Sequence, residues 1–343
     1  MRIIVDAMGG DNAPLAIVKG ALQGQKRWGV DITLTGDETA IREALAQCGV
    51  QELPQGMDIV PTTEEVTMED DPATVFRRKK DSSMGVGLTL LRDGKGDAFI
   101  SAGSTGALLA GATLVVKRIR GLRRAALAPT IPTMTGKAVL IDCGANVDAR
   151  PSHLVQFAMM GSIYMEHVVG IKNPRVGIVN IGVEEEKGNA LVKETYPLLK
   201  ENPYINFVGS IEAREIPNGA ADVVVCEAFV GNVILKLYEG VGATLISKVK
   251  QGMMTSLRSK IGALLVKPAL KETLKSFDAS EYGGAPLLGL KGLVVKAHGS
   301  SKANEFKNSI LQCISFSEEK IPQKVQEHLA DYKSSREAAK DGV

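Results

Sequence analysis

Arg2-Ile3-Ile4-Val5-Asp6-Ala7-Met8-Gly9-Gly10-Asp11 opens the chain with an apolar run that stops at an acid and two glycines. Ile3, Ile4 and Val5 leave no polar face, and a strand without one belongs in a parallel sheet covered by helices on both sides. Helical spacing follows at 14–28, and the same order of strand, glycine-rich turn and helix then recurs. Strand-like runs fall at 2–7, 31–35, 98–101, 138–142, 175–181, 206–208, 222–226 and 293–296. Helical periodicity fills 14–28, 38–48, 105–117, 151–167, 190–200 and 302–316. Alternating elements of this kind predict an α/β fold, a doubly wound, Rossmann-like α/β/α sandwich. Ligands of such sheets bind beyond the carboxyl ends of the strands.

The 343 residues are expected to form a single α/β domain over 1–343, with 241–275 as a protruding basic amphipathic helical segment. From about residue 322 the pattern is a charged surface helix that frays at 341–343. There is no internal repeat and no low-complexity linker. A net charge of +2 excludes a global field for nucleic acid, so any basic site is local. Cys48, Cys143, Cys226 and Cys313 are far apart, which argues against a zinc site or disulfide framework and fits a reducing compartment. The opening strand does not read as a signal peptide. No apolar run approaches the ~20 residues of a spanning helix, so the chain is expected to lie on a membrane at most.

Chemistry is expected in six turns: 6–11, 101–107, 141–146, 180–188, 228–232 and 298–301. Their glycines let the backbone approach a ligand, and helix N-termini beside them suit phosphate. Ser, Thr and Asn add neutral donors, while Lys187 and His298 add a cation and a proton-transfer group. The plain alternative is that small residues at strand ends are turn formers, and six such turns in one doubly wound chain favour a shared anion site. No P-loop and no dinucleotide fingerprint occurs. Ala102-Gly103-Ser104-Thr105-Gly106 falls one residue short of a nucleophile elbow, so a serine hydrolase with Ser104 and His298 is the rival reading. His167 and His328 lie in helical patterns, His153 follows a Pro-Ser helix start that suits either a site or a packing role, and no residue group has metal-ligand spacing, so neither metal nor cofactor is expected.

Taken in order, D-A-M-G-G-D, S-A-G-x-T-G-A, D-C-G-A-N, N-I-G-x-E-x-x-K-G, F-x-G-N-x-x-L-K-x-x-E-G, Y-G-G-A-P-L-L-G-L and H-G-S-S resemble the PlsX-type phosphate acyltransferases. The likeness runs from Asp6 to about Ser301 and includes Phe229-Val230-Gly231-Asn232 and Tyr282-Gly283-Gly284. Two positions depart from it: Ser104 stands where that family usually has Asn, and Glu227-Ala228 where it usually has Asp-Gly. The resemblance implies a cytoplasmic homodimer that turns acyl-acyl-carrier protein and inorganic phosphate into acyl phosphate, for use by a membrane glycerol-phosphate acyltransferase. It also implies a fold similar to phosphotransacetylases and isocitrate-dehydrogenase-like enzymes. Direct attack of phosphate on the thioester would then use Lys187 for phosphate or oxyanion, Asn232 as an oxyanion donor and His298 for protons. Gly9, Gly10, Ser104, Thr105 and Asn146 would cradle phosphate, with Asp6 and Asp11 orienting donors. Glu184, Gly231 and Ser300 complete the expected substrate-binding set.

An acidic carrier protein would meet a basic patch, either Arg77-Arg78-Lys79-Lys80 or Lys117-Arg118 with Arg120, Arg123 and Arg124. The stretch 241–275 holds Lys248, Lys250, Arg258, Lys260, Lys267, Lys271 and Lys275 against the acid Glu272, among the apolar residues Leu245, Val249, Met253, Leu257, Ile261, Leu264 and Leu265. A helix pair of this composition, expected to break near Pro268, suits peripheral contact with an anionic membrane. Its plain alternative is a dimer-forming or core-packing helix. Three other functions remain: a phosphotransacetylase for short acyl-coenzyme A, an oxidoreductase on a related scaffold, and a membrane scaffold without catalysis.

Overall fold

The computed structural model describes residues 1–276 and 283–341, so Tyr282 and residues 342–343 of the expected fraying end lie outside the described residues. In chain order the first elements are β1 (Arg2–Asp6), α1 (Leu15–Trp28), β2 (Asp31–Gly36), α2 (Glu38–Gln47), β3 (Met57–Pro61), α3 (Val75–Arg78), α4 (Ser83–Arg92), β4 (Ala98–Ser101) and α5 (Thr105–Gly111). Then follow β5 (Ala126–Leu127), β6 (Thr130–Thr133), β7 (Gly136–Ile141), α6 (Pro151–Tyr164), β8 (Arg175–Asn180), α7 (Ala190–Lys200), β9 (Asn206–Glu212) and β10 (Val223–Val225). The chain closes with α8 (Ala228–Met253), α9 (Leu257–Ser276), β11 (Ala285–Leu288), β12 (Leu293–Lys296), α10 (Ala303–Glu318) and α11 (Ile321–Asp341).

The strands make two sheets, ordered β3-β2-β1-β4-β12-β11-β5 and β6-β7-β10-β8-β9. Strands β3, β2, β1, β4 and β12 run parallel, as do β7, β10, β8 and β9. The short strands β5, β6 and β11 pair antiparallel at the margins. Alternation within each strand explains the layers, because successive side chains point to opposite faces. Ile3 and Val5 of β1 face one core, which also receives Val139 and Ile141 of β7 and Val223 and Val225 of β10. Ile4 and Phe99 face a second core behind the first sheet, and Leu140 and Val224 a third behind the second. The two sheets therefore share a central hydrophobic layer, occupied by α6 with Phe157, Ala158 and Met160 fully enclosed. This is the doubly wound α/β architecture that the apolar strands predict.

Several elements differ from the sequence pattern. Strands β3, β5, β6 and β11 were not marked by it, because β5 spans only two residues and prolines interrupt the others. Pro132 is tolerated because β6 is an edge strand. The expected turn at 228–232 is the first turn of α8, capped by Glu227, whose carboxylate accepts from the N–H groups of Phe229 (2.6 Å) and Val230 (2.9 Å). The break between α8 and α9 falls at 254–256 and not near Pro268, which lies within α9. There Ser256 accepts from the N–H of Ser259 at 3.1 Å, a cap the periodicity did not single out.

Contrary to the sequence expectation, α8 is long and apolar enough, by length and composition, to cross a membrane. Its first turns are nevertheless built into the protein. Ala228 donates to the Asn146 carbonyl at 3.0 Å, Gly231 is buried, and the Tyr238 hydroxyl donates to the Pro132 carbonyl at 2.7 Å.

Candidate active site

The carboxyl ends of β1, β4, β7 and β12 meet α8 around a cleft of about 970 Å³. Its foundation is Asp6, fully enclosed at the end of β1. One Asp6 oxygen accepts from the Ser101 hydroxyl at 2.6 Å and the other from the Met8 N–H at 3.2 Å. Ser101 Oγ in turn accepts from the Gly103 N–H at 3.0 Å. Burial pushes the Asp6 carboxyl above its ordinary value, against the hydrogen bonds from Ser101 and Ser83. Gly9 fits here because a Cβ would meet Asp6 Oδ2 at 2.6 Å and the Gly103 nitrogen at 2.7 Å. Gly10 adopts φ +102°, and the next N–H, of Asp11, donates to the Gly299 carbonyl at 2.8 Å. Three of the six turns are thereby stitched into one wall.

The second sheet adds a clasp. Asp142 at the end of β7 accepts from the N–H groups of Leu127 (3.0 Å), Ala145 (3.2 Å) and Asn146 (2.8 Å), and from the Asn146 side chain (2.7 Å). Asn146 Nδ2 also reaches the Ala125 carbonyl at 2.7 Å. Against this clasp packs Gly231, where a Cβ would overlap the Asp142 carbonyl group. That close approach brings Asn232, Leu235 and Lys236 of α8 into the opposite cleft wall, with Lys236 donating to Glu239 at 2.8 Å.

The remaining wall is the end of β12. Lys296 is only 8% exposed, yet it lines the cleft. Its Nζ donates to the Ala102 carbonyl at 3.2 Å and to the Ala297 carbonyl. Burial, and after it the neighbouring Lys236, lowers its ammonium to about 8, against the pull of Asp6 and Asp11. His298 follows, with Nδ1 2.9 Å from Ser300 Oγ and 3.3 Å from the Ser300 N–H. Because that N–H donates, Nδ1 is the acceptor and the neutral ring carries its proton on Nε2. Together these groups offer neutral donors, two lysines and one imidazole, a set suited to an oxyanion and a phosphate.

A family model described as fatty acid synthesis protein matches residues 1–324. A phosphate acyltransferase of Alkaliphilus oremlandii is 51% identical over 335 residues, covering 98% of each chain. Another, of Clostridium acetobutylicum, is 49% identical over 96% of this chain and 99% of its own. The chain belongs to the phosphate acyltransferase family. As a member it is an acyltransferase of fatty acid synthesis. Solved structures agree on the fold alone. A phosphotransacetylase from Streptococcus pyogenes superposes with TM-score 0.62 at 17% identity, over 93% of this chain and 94% of that one. The EutD phosphotransacetylase from Staphylococcus aureus gives 0.59 at 17%, over the same shares.

Of the residues that the motifs marked in this phosphate acyltransferase, Gly10, Asp11, Ser104, Thr105, Asn232, His298 and Ser300 line the cleft. Asp6 and Gly9 lie beneath it, and Gly231 is the packing contact behind Asn232. Asn146 turns its amide into the Asp142 clasp. Lys187 and Glu184 stand in the loop after β8, outside the cleft lining, paired with each other at 2.9 Å and each about half exposed. Ser104 caps α5 by accepting from the Ala107 N–H at 3.4 Å, while His298 faces Ser300, so serine and imidazole are not hydrogen-bonded to each other. In the first basic cluster Lys79 is already committed to Asp70 (2.6 Å) and the Glu65 carbonyl (2.9 Å). Met253 ends α8, and Leu257, Ile261, Leu264 and Leu265 are exposed on α9, away from the cleft. Lys296 was not singled out from the sequence; its signal is a lysine closing the otherwise apolar Leu293-Val294-Val295.

Proposed function

We propose that the protein transfers a fatty acyl group from an acyl-carrier-protein thioester to inorganic phosphate, forming acyl phosphate for phospholipid synthesis. The observation that carries this reading is the α8 wall of the cleft. Asn232 and Lys236 face the cleft, while Phe229, Val233, Leu237 and Val241, four residues apart on the same helix, are exposed. A polar reaction site thus continues into apolar surface, and each CH₂ of a long chain laid there gains roughly 0.8 kcal/mol. An acetyl group would gain little from it.

In the reaction, a phosphate oxygen attacks the thioester carbonyl carbon and the carbonyl becomes an oxyanion. Collapse breaks the C–S bond, and the departing sulfur takes the proton that the attacking hydrogenphosphate gives up. Asn232 donates to the oxyanion, a contact worth about 2.7–4 kcal/mol. His298, held by Ser300 with its proton on Nε2, donates a hydrogen bond to the leaving sulfur as that proton arrives. Gly10, Ser104 and Thr105 present donors to phosphate, and Asp11 holds the turn to Gly299. The proposed role of Lys187 requires its Nζ to exchange Glu184 for phosphate. The acidic carrier protein would dock on one of the two basic clusters, 77–80 or 117–124. A cytoplasmic homodimer that touches anionic membrane through 241–275 would deliver acyl phosphate to a membrane glycerol-phosphate acyltransferase.

The test is release of carrier-protein thiol from a long-chain acyl-carrier protein with and without phosphate, alongside a short acyl-coenzyme A. Phosphate-dependent release that prefers the long chain, with a hydroxylamine-reactive product, is the expected result. Preference for the short coenzyme A ester would mean a phosphotransacetylase, and release without phosphate a hydrolase.

A further inference from the structure

Lys296 carries a charge that makes no direct ion pair among the described residues. Buried ammonium groups are normally paired, yet this one touches only the main-chain carbonyls of Ala102 and Ala297. Among the described residues no carboxylate forms an ion pair with it. Two of its three N–H donors are accounted for, and the group lines the cleft at the carboxyl end of β12. Its main chain is fixed by close packing, since a Cβ on Gly284 would lie 2.6 Å from Val295 and 2.9 Å from the Lys296 carbonyl carbon. Lys236 faces the same cleft from α8, near enough to oppose the Lys296 charge. Two cations that line one open cleft leave room for an anion between them. Asp6 and Asp11 also face Lys296, but Asp6 is occupied by Ser101 and Met8, and Glu239 is held by Lys236. His298 and Glu305 lie on the cleft wall as well.

We propose that Lys296 is the substrate-binding cation that receives inorganic phosphate on the cleft floor. The proposal deepens the function above and rests on its assignment of phosphate as acceptor. It gives the enzyme a fixed electrostatic contact on the nucleophile, which attracts phosphate and holds it beneath the thioester.

The experiment pairs Lys296→Met, which keeps most of the stem and removes the charge, with Lys296→Arg. Steady-state KM is measured separately for phosphate and for acyl-carrier protein, and the melting temperature of each protein is followed as inorganic phosphate is added. Lys296→Met is expected to raise the phosphate KM at least about tenfold and leave the acyl-donor KM nearly unchanged. It should lose the phosphate-induced rise in melting temperature and, freed of an unpaired buried charge, melt no lower than the wild type without phosphate. Lys296→Arg should recover part of the phosphate affinity. In the wild type the phosphate KM should climb as pH rises through about 8, where the lysine loses its proton. An unchanged phosphate KM or an unchanged phosphate-induced shift in Lys296→Met overturns the proposal while leaving the acyl transfer reading intact. If Lys296→Met does not fold, a flat wild-type phosphate KM between pH 7 and 9 overturns it. If phosphate raises the melting temperature only when Lys296 is present but thiol release ignores phosphate, the site stands and the proposed reaction falls.

Discussion

Replacing Gly231 with alanine tests whether the first turn of α8 positions the chemistry. An alanine Cβ would lie 2.9 Å from the Asp142 carbonyl carbon, closer still to its oxygen, and 3.1 Å from Cys226 Sγ, where ordinary contact begins near 3.4 Å. Asp142 cannot yield, because its carboxylate is fixed by Leu127, Ala145 and Asn146. The helix must therefore retreat by roughly 1.5 Å to regain ordinary contact with that oxygen, and overpacking of this kind costs roughly 1–3 kcal/mol. Asn232 is the next residue and moves with it. Misplacing a reacting group by about 1 Å lowers turnover on the order of 100-fold. The assay is kcat for phosphate-dependent thiol release together with thermal melting. Gly240→Ala is the control on the same helix, since nothing lies within 4 Å of its added methyl. That variant should keep full activity and gain up to about 1 kcal/mol of helix propensity. If Gly231→Ala turns over within about threefold of the wild type, less than 1 kcal/mol of barrier, α8 does not position Asn232 for catalysis and the geometric argument fails.

Ser104→Ala should lose the α5 cap to Ala107, about 1 kcal/mol of stability, and raise the phosphate KM while keeping phosphate-dependent thiol release; complete loss of release would restore the serine nucleophile. The segment that brings Glu65 and Met68 to the cleft is clasped by Asp70, whose carboxyl is held down to about 2, chiefly by the hydrogen bond from Lys79. A carboxyl with a depressed folded value stabilises the native state above its unfolded value near 3.9 and loses that stabilisation as pH falls through about 2. Proteolysis at 65–68 should accordingly rise between pH 4 and 2 in the wild type and be high already at pH 5 in Asp70→Asn; equal protection in both proteins would refute the clasp. Flotation with anionic vesicles should recover the wild-type protein, and Leu264→Gln with Leu265→Gln should cut recovery at least about tenfold, because each exposed leucine is worth roughly 1.5–3 kcal/mol when buried. Equal recovery on neutral vesicles would count against a basic contribution from Lys248, Lys250, Arg258, Lys260 and Lys267.

Local chemistry was legible where it is written in consecutive residues. Ile3-Ile4-Val5 reads as a strand covered on both faces, and Ile3 and Val5 do enter one core while Ile4 enters another. The partition into two sheets has no such signature. Val139 and Leu140 are adjacent and alike, and only long-range pairing decides which layer each joins. The glycine turns announced the cleft because close backbone approach needs glycine. Side-chain direction within a turn did not show: Asn146 has the composition of a ligand-binding residue but spends its amide on Asp142 and Ala125. Lys296 was hidden for the opposite reason, since a terminal lysine on an apolar strand looks like an ordinary solvated end. Asn232 was legible as a motif residue, but its place inside a helix was not, because Glu227 caps from a position where the pattern suggests a strand still ending.

α8 joins the two parts of the proposed function mechanically. From Asn232 to Met253 a continuous helix extends about 31 Å at 1.5 Å per residue. Its attachments are concentrated near the cleft: the Ala228–Asn146 hydrogen bond, the Gly231–Asp142 contact and the Tyr238–Pro132 hydrogen bond. From Val241 on, the helix carries exposed apolar residues, among them Leu245, Ile246 and Val249. A helix held at one end and loaded at the other acts as a lever about its last anchor. Any surface that packs on the outer half, whether lipid or a second copy of the chain, bears on the turn that holds Asn232 and Lys236. Under the proposed function, cutting the Tyr238 anchor with Tyr238→Phe should leave the fold intact and loosen that coupling, since it removes one hydrogen bond and no packing volume. Under the proposed function the helix is both a wall of the cleft and the link between contact outside it and the reacting groups, and equal stimulation of Tyr238→Phe and wild-type turnover by anionic vesicles would refute that link.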